Sequence, residues 1–110
     1  MGLTKSELFS DEDNQIANLA RLLAHPARIA ILRYLIHAKS CVGNELVREI
    51  GLAQPTVSQH LKELKLAGLI KGEIQGTSVC YCIDFEQWKS MSVLLSDFLN
   101  QDFKAHIQCC

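Results

Sequence analysis

The hydrophobic pattern changes its period at Gly68, and this change constrains the fold more than any other sequence feature. From about Gln54 to Ala67 the apolar residues recur at helical spacing, with a proline tolerated in the first turn. Beyond Gly68, the segments Leu69–Ile74 and Thr77–Ile83 have the pattern of strands, and Gln75-Gly76 between them is a hairpin signal. The pattern therefore predicts a helix followed directly by a β-hairpin.

Four more helices are expected: three at about residues 11–24, 26–37 and 85–105, and a short one that opens at 41–44 and carries Leu46, Val47 and Ile50. Gly51-Leu52-Ala53 forms a tight turn between the third and fourth helices, and Gly51 suits the left-handed conformation that ends a helix. The predicted fold class is mainly α with a small β-hairpin: a winged helix-turn-helix with an extra helix at each end. We expect one domain over 1–110, with the helix-turn-helix at about 43–67 and the wing at about 69–83.

Apolar residues at helical spacing identify the faces that we expect to be buried. They are Ile16, Leu19, Ala20 and Leu23 on the first helix, Ile31, Leu32, Leu35 and Ile36 on the second, and Trp88, Met91, Leu95, Phe98 and Leu99 on the last.

Charge is distributed unevenly along the 110 residues, although the net charge is only −1. Residues 21–72 carry a net +5, whereas residues 1–20 and 73–110 carry −3 each. The positive charge of this central segment is typical of a surface that faces nucleic-acid phosphates. An ordinary surface exposed to water is often basic as well. No apolar run is long enough to cross a bilayer, and residues 1–10 lack the apolar core of a signal peptide, so we expect a cytoplasmic protein without a membrane partner.

One face of the fourth helix carries groups that can bind DNA. On a helical wheel Val57, Leu61 and Leu64 form a buried stripe, which leaves amide, hydroxyl and ammonium groups on the other side. The candidate DNA-binding residues are Gln54, Thr56, Ser58, Gln59, His60 and Lys62 on this helix, with Gly76, Thr77 and Ser78 at the wing tip. An ordinary surface helix and an ordinary exposed turn would have similar compositions.

The chain resembles the ArsR/SmtB family of repressors in three segments. These are Leu23–Leu32, Leu52–Leu64, and Ala67-Gly68-Leu69-Ile70 with the strand from Gly76 to Ile83. The resemblance covers roughly residues 15–85. It implies a homodimer, paired through its first and last helices, that binds double-stranded operator DNA with an inverted repeat. It also implies that the operator is released when a ligand or an oxidant occupies a thiol or metal site.

The sensing sites of that family carry over only in part. Cys41 matches the first cysteine of the family's thiolate site, but Gly43 stands where the second would be. The zinc-type site of the last helix would correspond to Asp84, Glu86, Asp97 and Asn100, and it lacks the histidines that the family uses.

Five cysteines offer other thiol sites. Because members of the family sense arsenic through cysteines near the last helix, the resemblance favours Cys109 and Cys110, completed by Cys41 or by a thiol of the partner chain. Cys80 and Cys82 point the same way from the wing strand and are the alternative. No cofactor is expected to be obligatory, and trivalent arsenic or another thiophilic metal ion is the expected inducer. A thiol-redox response, or no thiol sensing at all, stays open.

An enzyme and a protein-interaction module are the two alternative classes of function. An enzyme could use Cys80-Tyr81-Cys82 with a histidine as base, but a short helical chain leaves little volume for a catalytic pocket, so we expect no enzyme. A winged helix can also serve as a protein-interaction module. DNA binding through several phosphates should weaken steeply as salt rises, whereas docking over an apolar patch should not.

Overall fold

A computed structural model describes residues 5–102 and confirms a mainly helical fold with one two-stranded antiparallel hairpin. A short 3-10 helix at Lys5–Leu8 precedes the regular elements. These are α1 Asp11–Leu22, α2 Pro26–His37, α3 Glu45–Ile50, α4 Gln54–Leu66, β1 Ile70–Gln75, β2 Ser78–Ile83 and α5 Phe85–Leu99. The predicted order of elements is confirmed. The prediction of one domain over 1–110 includes termini outside the described residues and stays a prediction.

Local capping determines where the terminal helices begin. The Ser10 hydroxyl accepts a hydrogen bond of 3.1 Å from the Asp13 backbone N–H at the start of α1. At the start of α5 the Asp84 carboxylate accepts one of 3.3 Å from the Gln87 N–H. The predicted helix of 85–105 was too long at its C-terminus. The backbone leaves the helical conformation at Asn100, where the last apolar side chains of α5 are already exposed and the polar residues Gln101 and Asp102 follow.

The core lies between α2, α3, α4 and the base of the hairpin. Among the described residues, thirteen apolar ones form it: Leu19, Leu22, Ile31, Leu32, Leu35, Val42, Leu46, Val57, Leu61, Leu64, Leu69, Ile70 and Ile83. The expectation that Ile36 is buried was wrong, since 41% of it is exposed. On a helical wheel Ile36 lies about 90° from the centre of the face that Arg28, Ile31, Leu32 and Leu35 bury, so it stands at the edge of that face.

The terminal helices are less buried than their periodicity predicted. On α5, Trp88, Met91 and Leu95 pack against the core but stay half-exposed, while Phe98 and Leu99 are exposed. On α1, Leu19 is buried but Ala20 is exposed. No helix among the described residues has the length and apolar character needed to cross a membrane.

The hairpin runs from the pair Ile70 and Ile83 to the pair Gln75 and Ser78 at its tip. An additional antiparallel bridge joins Val42, in the loop before α3, to Tyr81 on β2, with two backbone hydrogen bonds of 2.8 Å. The loop that leads into the helix-turn-helix is thereby attached to the wing.

Candidate nucleic-acid interface and cysteine site

The outer face of α4 is polar because its apolar stripe is anchored in the core. Val57, Leu61 and Leu64 are buried, as the helical wheel predicted. Five candidate DNA-binding residues are exposed on this helix: Gln54, Thr56, Ser58, Gln59 and Lys62. The structure therefore brings amide, hydroxyl and ammonium groups together on one helix and leaves them accessible.

The turn before α4 sets the angle at which this face is presented. Gly51 ends α3 with a φ of +80°, a conformation that glycine adopts without a Cβ clash. The backbone then enters α4 directly, and the Val57 N–H donates to the Ala53 carbonyl over 3.1 Å. Leu46 on α3 and Val57 on α4 are both buried, so the two helices of the helix-turn-helix are fixed through the core.

Arg28, a buried arginine of α2, contacts α4. Only 4% of Arg28 is exposed; its Nε donates to His60 Nδ1 over 3.0 Å, and its guanidinium forms an ion pair with Glu63. Glu63 also accepts a long hydrogen bond of 3.5 Å from the Gln59 amide. The Arg28 Nη1 has no hydrogen-bond partner among the described residues. Burial, with Arg21 nearby, lowers the pKa of Arg28.

His60 is placed differently from the other candidates on α4. It is half-buried and its ring lies 5.6 Å from that of His25, so it faces α2 and not the outer face. Burial, then the charge of Arg28 and the neighbouring His25, lowers the pKa of His60. A neutral His60 accepts the Arg28 hydrogen bond, and its contact with DNA stays a prediction. Sequence reasoning missed Arg28, although an arginine one turn before the buried Ile31 and Leu32 was a usable signal.

The wing tip is exposed, as the sequence predicted. Gly76 has a φ of +63° in the turn, and Gln75, Thr77 and Ser78 beside it are exposed. Directly behind them lies the cross-strand pair of Ile74 and Val79, and 82% of Ile74 is exposed. The wing thus ends in a polar turn with an apolar side chain behind it.

Cys80 is paired with Cys41, and not with Cys82. Cys41 and Cys80 form a disulfide with a Cα–Cα distance of 5.3 Å, which the Val42–Tyr81 bridge makes possible by holding the two backbones side by side. Cys82 is free and half-buried, opposite Lys71 in the hairpin. Alternation along β2 predicted which residues share a face, but it could not reveal that a distant loop covers Cys80.

The Glu73 carboxylate lies beside the two sulfurs. Glu73 lies opposite Cys80 in the hairpin, and the Cys41 and Cys80 sulfurs and a Glu73 oxygen are all within 4.8 Å of one another. Within residues 5–102 this is the group of three residues with the geometry to hold a metal ion. Cys109 and Cys110, which the sequence analysis favours as the ligands of the inducer, lie outside the described residues. The acidic positions of α5 do not form such a group.

Comparisons with known proteins agree with this architecture. The chain is 51% identical over 63 residues to the HTH-type transcriptional repressor SmtB of Mycobacterium tuberculosis, an overlap that covers 57% of this chain and 46% of that protein. It is 31% identical over 81 residues to an HTH-type transcriptional regulator of Methanocaldococcus jannaschii, covering 74% and 91% of the two chains. The chain thus spans about half the length of SmtB but nearly all of the second relative.

A solved structure extends the likeness beyond the sequence overlap. A homodimeric winged helix-turn-helix DNA-binding domain from Mycobacterium bovis matches with a TM-score of 0.62 and 25% identity, covering 91% of this chain and 95% of that one. The relatives are transcriptional regulators and not enzymes, which confirms the expectation from the sequence. The family model for bacterial regulatory proteins of the arsR family matches residues 25–71, which include α2, α3 and α4. The chain belongs to the ArsR family.

Proposed function

We propose that this protein is a cytoplasmic, homodimeric repressor that binds double-stranded operator DNA with an inverted repeat. The observation that carries the proposal is the exposed polar face of α4 above a fully buried stripe. In this arrangement α4 is the recognition helix and enters the major groove, while the polar wing tip lies against the backbone or the minor groove. Two recognition helices related by a two-fold axis require two half-sites.

The exposed apolar surface of the terminal helices supports the homodimer. None of the α5 residues is fully buried in the single chain, although the helix is 15 residues long and rich in apolar side chains. Val93, Phe98 and Leu99 on α5 are exposed, as are Leu8 and Phe9 before α1. A second copy of the chain can cover such a surface, and a self-complementary interface follows from two-fold symmetry.

The proposed inducer is a thiophilic metal or metalloid, and trivalent arsenic is the favoured one. Soft thiolates suit such centres. Cys109-Cys110 stays the proposed arsenic site from the sequence, with Cys41 as a further ligand. The inducer can lower DNA affinity only by binding more tightly to the dimer conformation that has low DNA affinity.

Fluorescence anisotropy of an inverted-repeat duplex from upstream of the protein's own gene tests this proposal. Fully reduced protein is titrated at several salt concentrations, with and without arsenite, and a scrambled duplex is the control. We expect tight, sequence-selective binding whose affinity falls log-linearly with salt and is lost when arsenite is added. Selective binding that arsenite leaves unchanged would remove arsenic as the inducer. No selective binding would overturn the repressor and favour the protein-interaction module.

A thiol-redox response is the second candidate, and the Cys41–Cys80 disulfide is the observation that favours it. The bond links the loop that leads into the helix-turn-helix to the wing, whose tip is proposed to contact DNA. DNA affinity is measured for the reduced and the oxidised chain. We expect the two forms to differ and the difference to disappear in Cys41→Ser but to persist in Cys82→Ser. Equal affinities of both wild-type forms would rule this candidate out.

A further inference from the structure

We propose that reduced Cys41 and Cys80, together with Glu73, bind a divalent cation of soft or borderline character such as Cd²⁺ or Zn²⁺. The three ligand atoms are within 4.8 Å of one another, and they come from the loop before α3 and from both strands of the wing. The site uses none of the acidic positions of α5 and neither terminal cysteine.

The backbone holds these ligands together independently of the disulfide. Val42 and Tyr81, the chain neighbours of the two cysteines, exchange two hydrogen bonds of 2.8 Å. Cys80 faces Glu73 across the hairpin. After the sulfur–sulfur bond is cleaved, both thiols therefore stay adjacent to each other and to the carboxylate, so little conformational entropy is lost when an ion binds.

The donor set selects the kind of ion. Two thiolates and one carboxylate suit zinc or cadmium, and zinc–sulfur bonds of about 2.3 Å place two tetrahedral sulfurs roughly 3.8 Å apart. Trivalent arsenic favours three thiolates, and Cys82, the remaining thiol of the described residues, is not in the group. Glu73 is exposed, so water can reach a fourth coordination position.

The disulfide and the ion exclude each other because they use the same two sulfurs. A dithiol reductant supplies two electrons and two protons, is itself oxidised to a disulfide, and leaves two protein thiols. Binding of M²⁺ then displaces both thiol protons, so the net charge of the site does not change. Arsenous acid would instead condense with two thiols and release two water molecules without releasing protons. Counting protons therefore distinguishes the two ligands.

An ion at this site would couple the wing to the helix-turn-helix, and this consequence rests on the proposed function. Cys41 precedes α3, whereas Glu73 and Cys80 belong to β1 and β2. Because the charge is unchanged, occupancy would alter DNA binding through the position of the wing and not through phosphate attraction. We therefore expect the ion to change DNA affinity without changing the salt dependence.

The test measures metal binding by the 110-residue chain without DNA. Cys109→Ser and Cys110→Ser are introduced together to remove the terminal thiols, and the protein is reduced, freed of reductant under anaerobic conditions and titrated with Cd²⁺. Thiolate-to-cadmium charge-transfer absorption and proton release in weak buffer are followed. We expect one ion per chain and about two protons released per ion.

Variants of the same background locate the site. Cys41→Ser and Cys80→Ser should each lower cadmium affinity by at least about 10-fold, while Cys82→Ser, the matched control, should not change it. Glu73→Gln should lower cadmium affinity by about 10-fold and leave arsenite binding unchanged. Circular dichroism checks that each variant keeps its helical content.

Three results would each overturn the assignment. The first is a cadmium affinity that neither Cys41→Ser nor Cys80→Ser changes. The second is an oxidised chain that binds cadmium as tightly as the reduced chain does. The third is a cadmium affinity that Glu73→Gln leaves unchanged. None of these measurements uses DNA, so failure of the repressor proposal in the anisotropy experiment would leave their outcome unaffected.

Discussion

Arg28 links the core to the recognition helix through one side chain. Among the described residues it is the charged residue that is buried, and its partners His60 and Glu63 are both on α4. A buried ion pair contributes little net stability compared with an apolar replacement, but loss of one partner leaves the other uncompensated. The arrangement therefore orients α4 more than it stabilises the fold.

Arg28→Met should lower the free energy of unfolding by about 1–2 kcal/mol, less than for a fully buried pair because the Glu63 side chain is 33% exposed. Urea denaturation followed by circular dichroism measures the change. Arg33→Met is the matched control, since Arg33 is an exposed arginine of the same helix, and it should stay within about 0.5 kcal/mol of the wild type. An Arg28→Met protein as stable as the wild type would contradict a structural role for the ion pair.

His60 should make the stability of the fold depend on pH. Burial, Arg28 and His25 lower its folded pKa below the ordinary value of 6.5, so the unfolded chain takes up a proton first as the pH falls. The free energy of unfolding should therefore be highest above pH 6.5 and decrease as the pH falls towards the lowered pKa. Denaturation curves of the wild type and of His60→Gln between pH 8 and pH 5, a range of about three units around the ordinary histidine pKa, test this. If the free energy of unfolding changed with pH equally in the wild type and in His60→Gln, the contribution of His60 would be refuted.

Gln59 and Lys62 should affect DNA binding in different ways. Gln59→Ala removes a group that can bond a base edge, so it should reduce the preference for the operator over a mutated duplex by about 1–3 kcal/mol. Lys62→Ala removes a phosphate contact and should weaken both duplexes alike. Anisotropy with the two duplexes at one salt concentration separates these effects. Unchanged discrimination by Gln59→Ala would mean that a different face of α4 reads the sequence.

At the scale of elements, the turn between α3 and α4 determines how the recognition helix is presented. Gly51 adopts a φ of +80°, and a Cβ built there would meet nothing within 4 Å. Steric crowding by neighbouring side chains therefore plays no part, and the demand for glycine arises from the backbone conformation alone.

Gly51→Ala should cost about 1–2 kcal/mol of folding stability, because an L-residue is strained in the left-handed region. Gly43→Ala is the control: a Cβ there would make only an ordinary contact of 3.6 Å with the Glu45 carboxylate, and no positive φ is involved. Thermal unfolding of both variants provides the comparison. Equal melting temperatures would mean that the turn relaxes to accommodate alanine.

At the scale of the whole molecule, α1 and α5 leave apolar surface uncovered in the single chain. Val93 on α5 is 52% exposed, and Phe98 and Leu99 beyond it are exposed as well. The proposed dimer assigns this surface to a second copy of the chain, and the same pairing would set the spacing of the two recognition helices.

Val93→Asp should raise the dimer dissociation constant by at least about 10-fold, because an unpaired carboxylate would be buried in the interface. Sedimentation equilibrium measures the dissociation constant. Ile74→Asp introduces the same carboxylate at an exposed apolar residue of the wing and should leave the dimer intact. A dimer that tolerates Val93→Asp as well as Ile74→Asp would place the interface elsewhere.

The sequence by itself determined the order of the elements, the turn at Gly51 and the buried stripe of α4, because periodicity and backbone preference are local properties. It also located Thr56, Ser58, Gln59 and Lys62 on the exposed face of α4 and His60 nearer its edge. Only the tertiary structure decided that Cys41 meets Cys80, 39 residues away, and that Arg28 meets His60 and Glu63, 32 and 35 residues away. Such pairs depend on which segments pack together, and alternation along a strand or a helix indicates a face but never the partner that covers it.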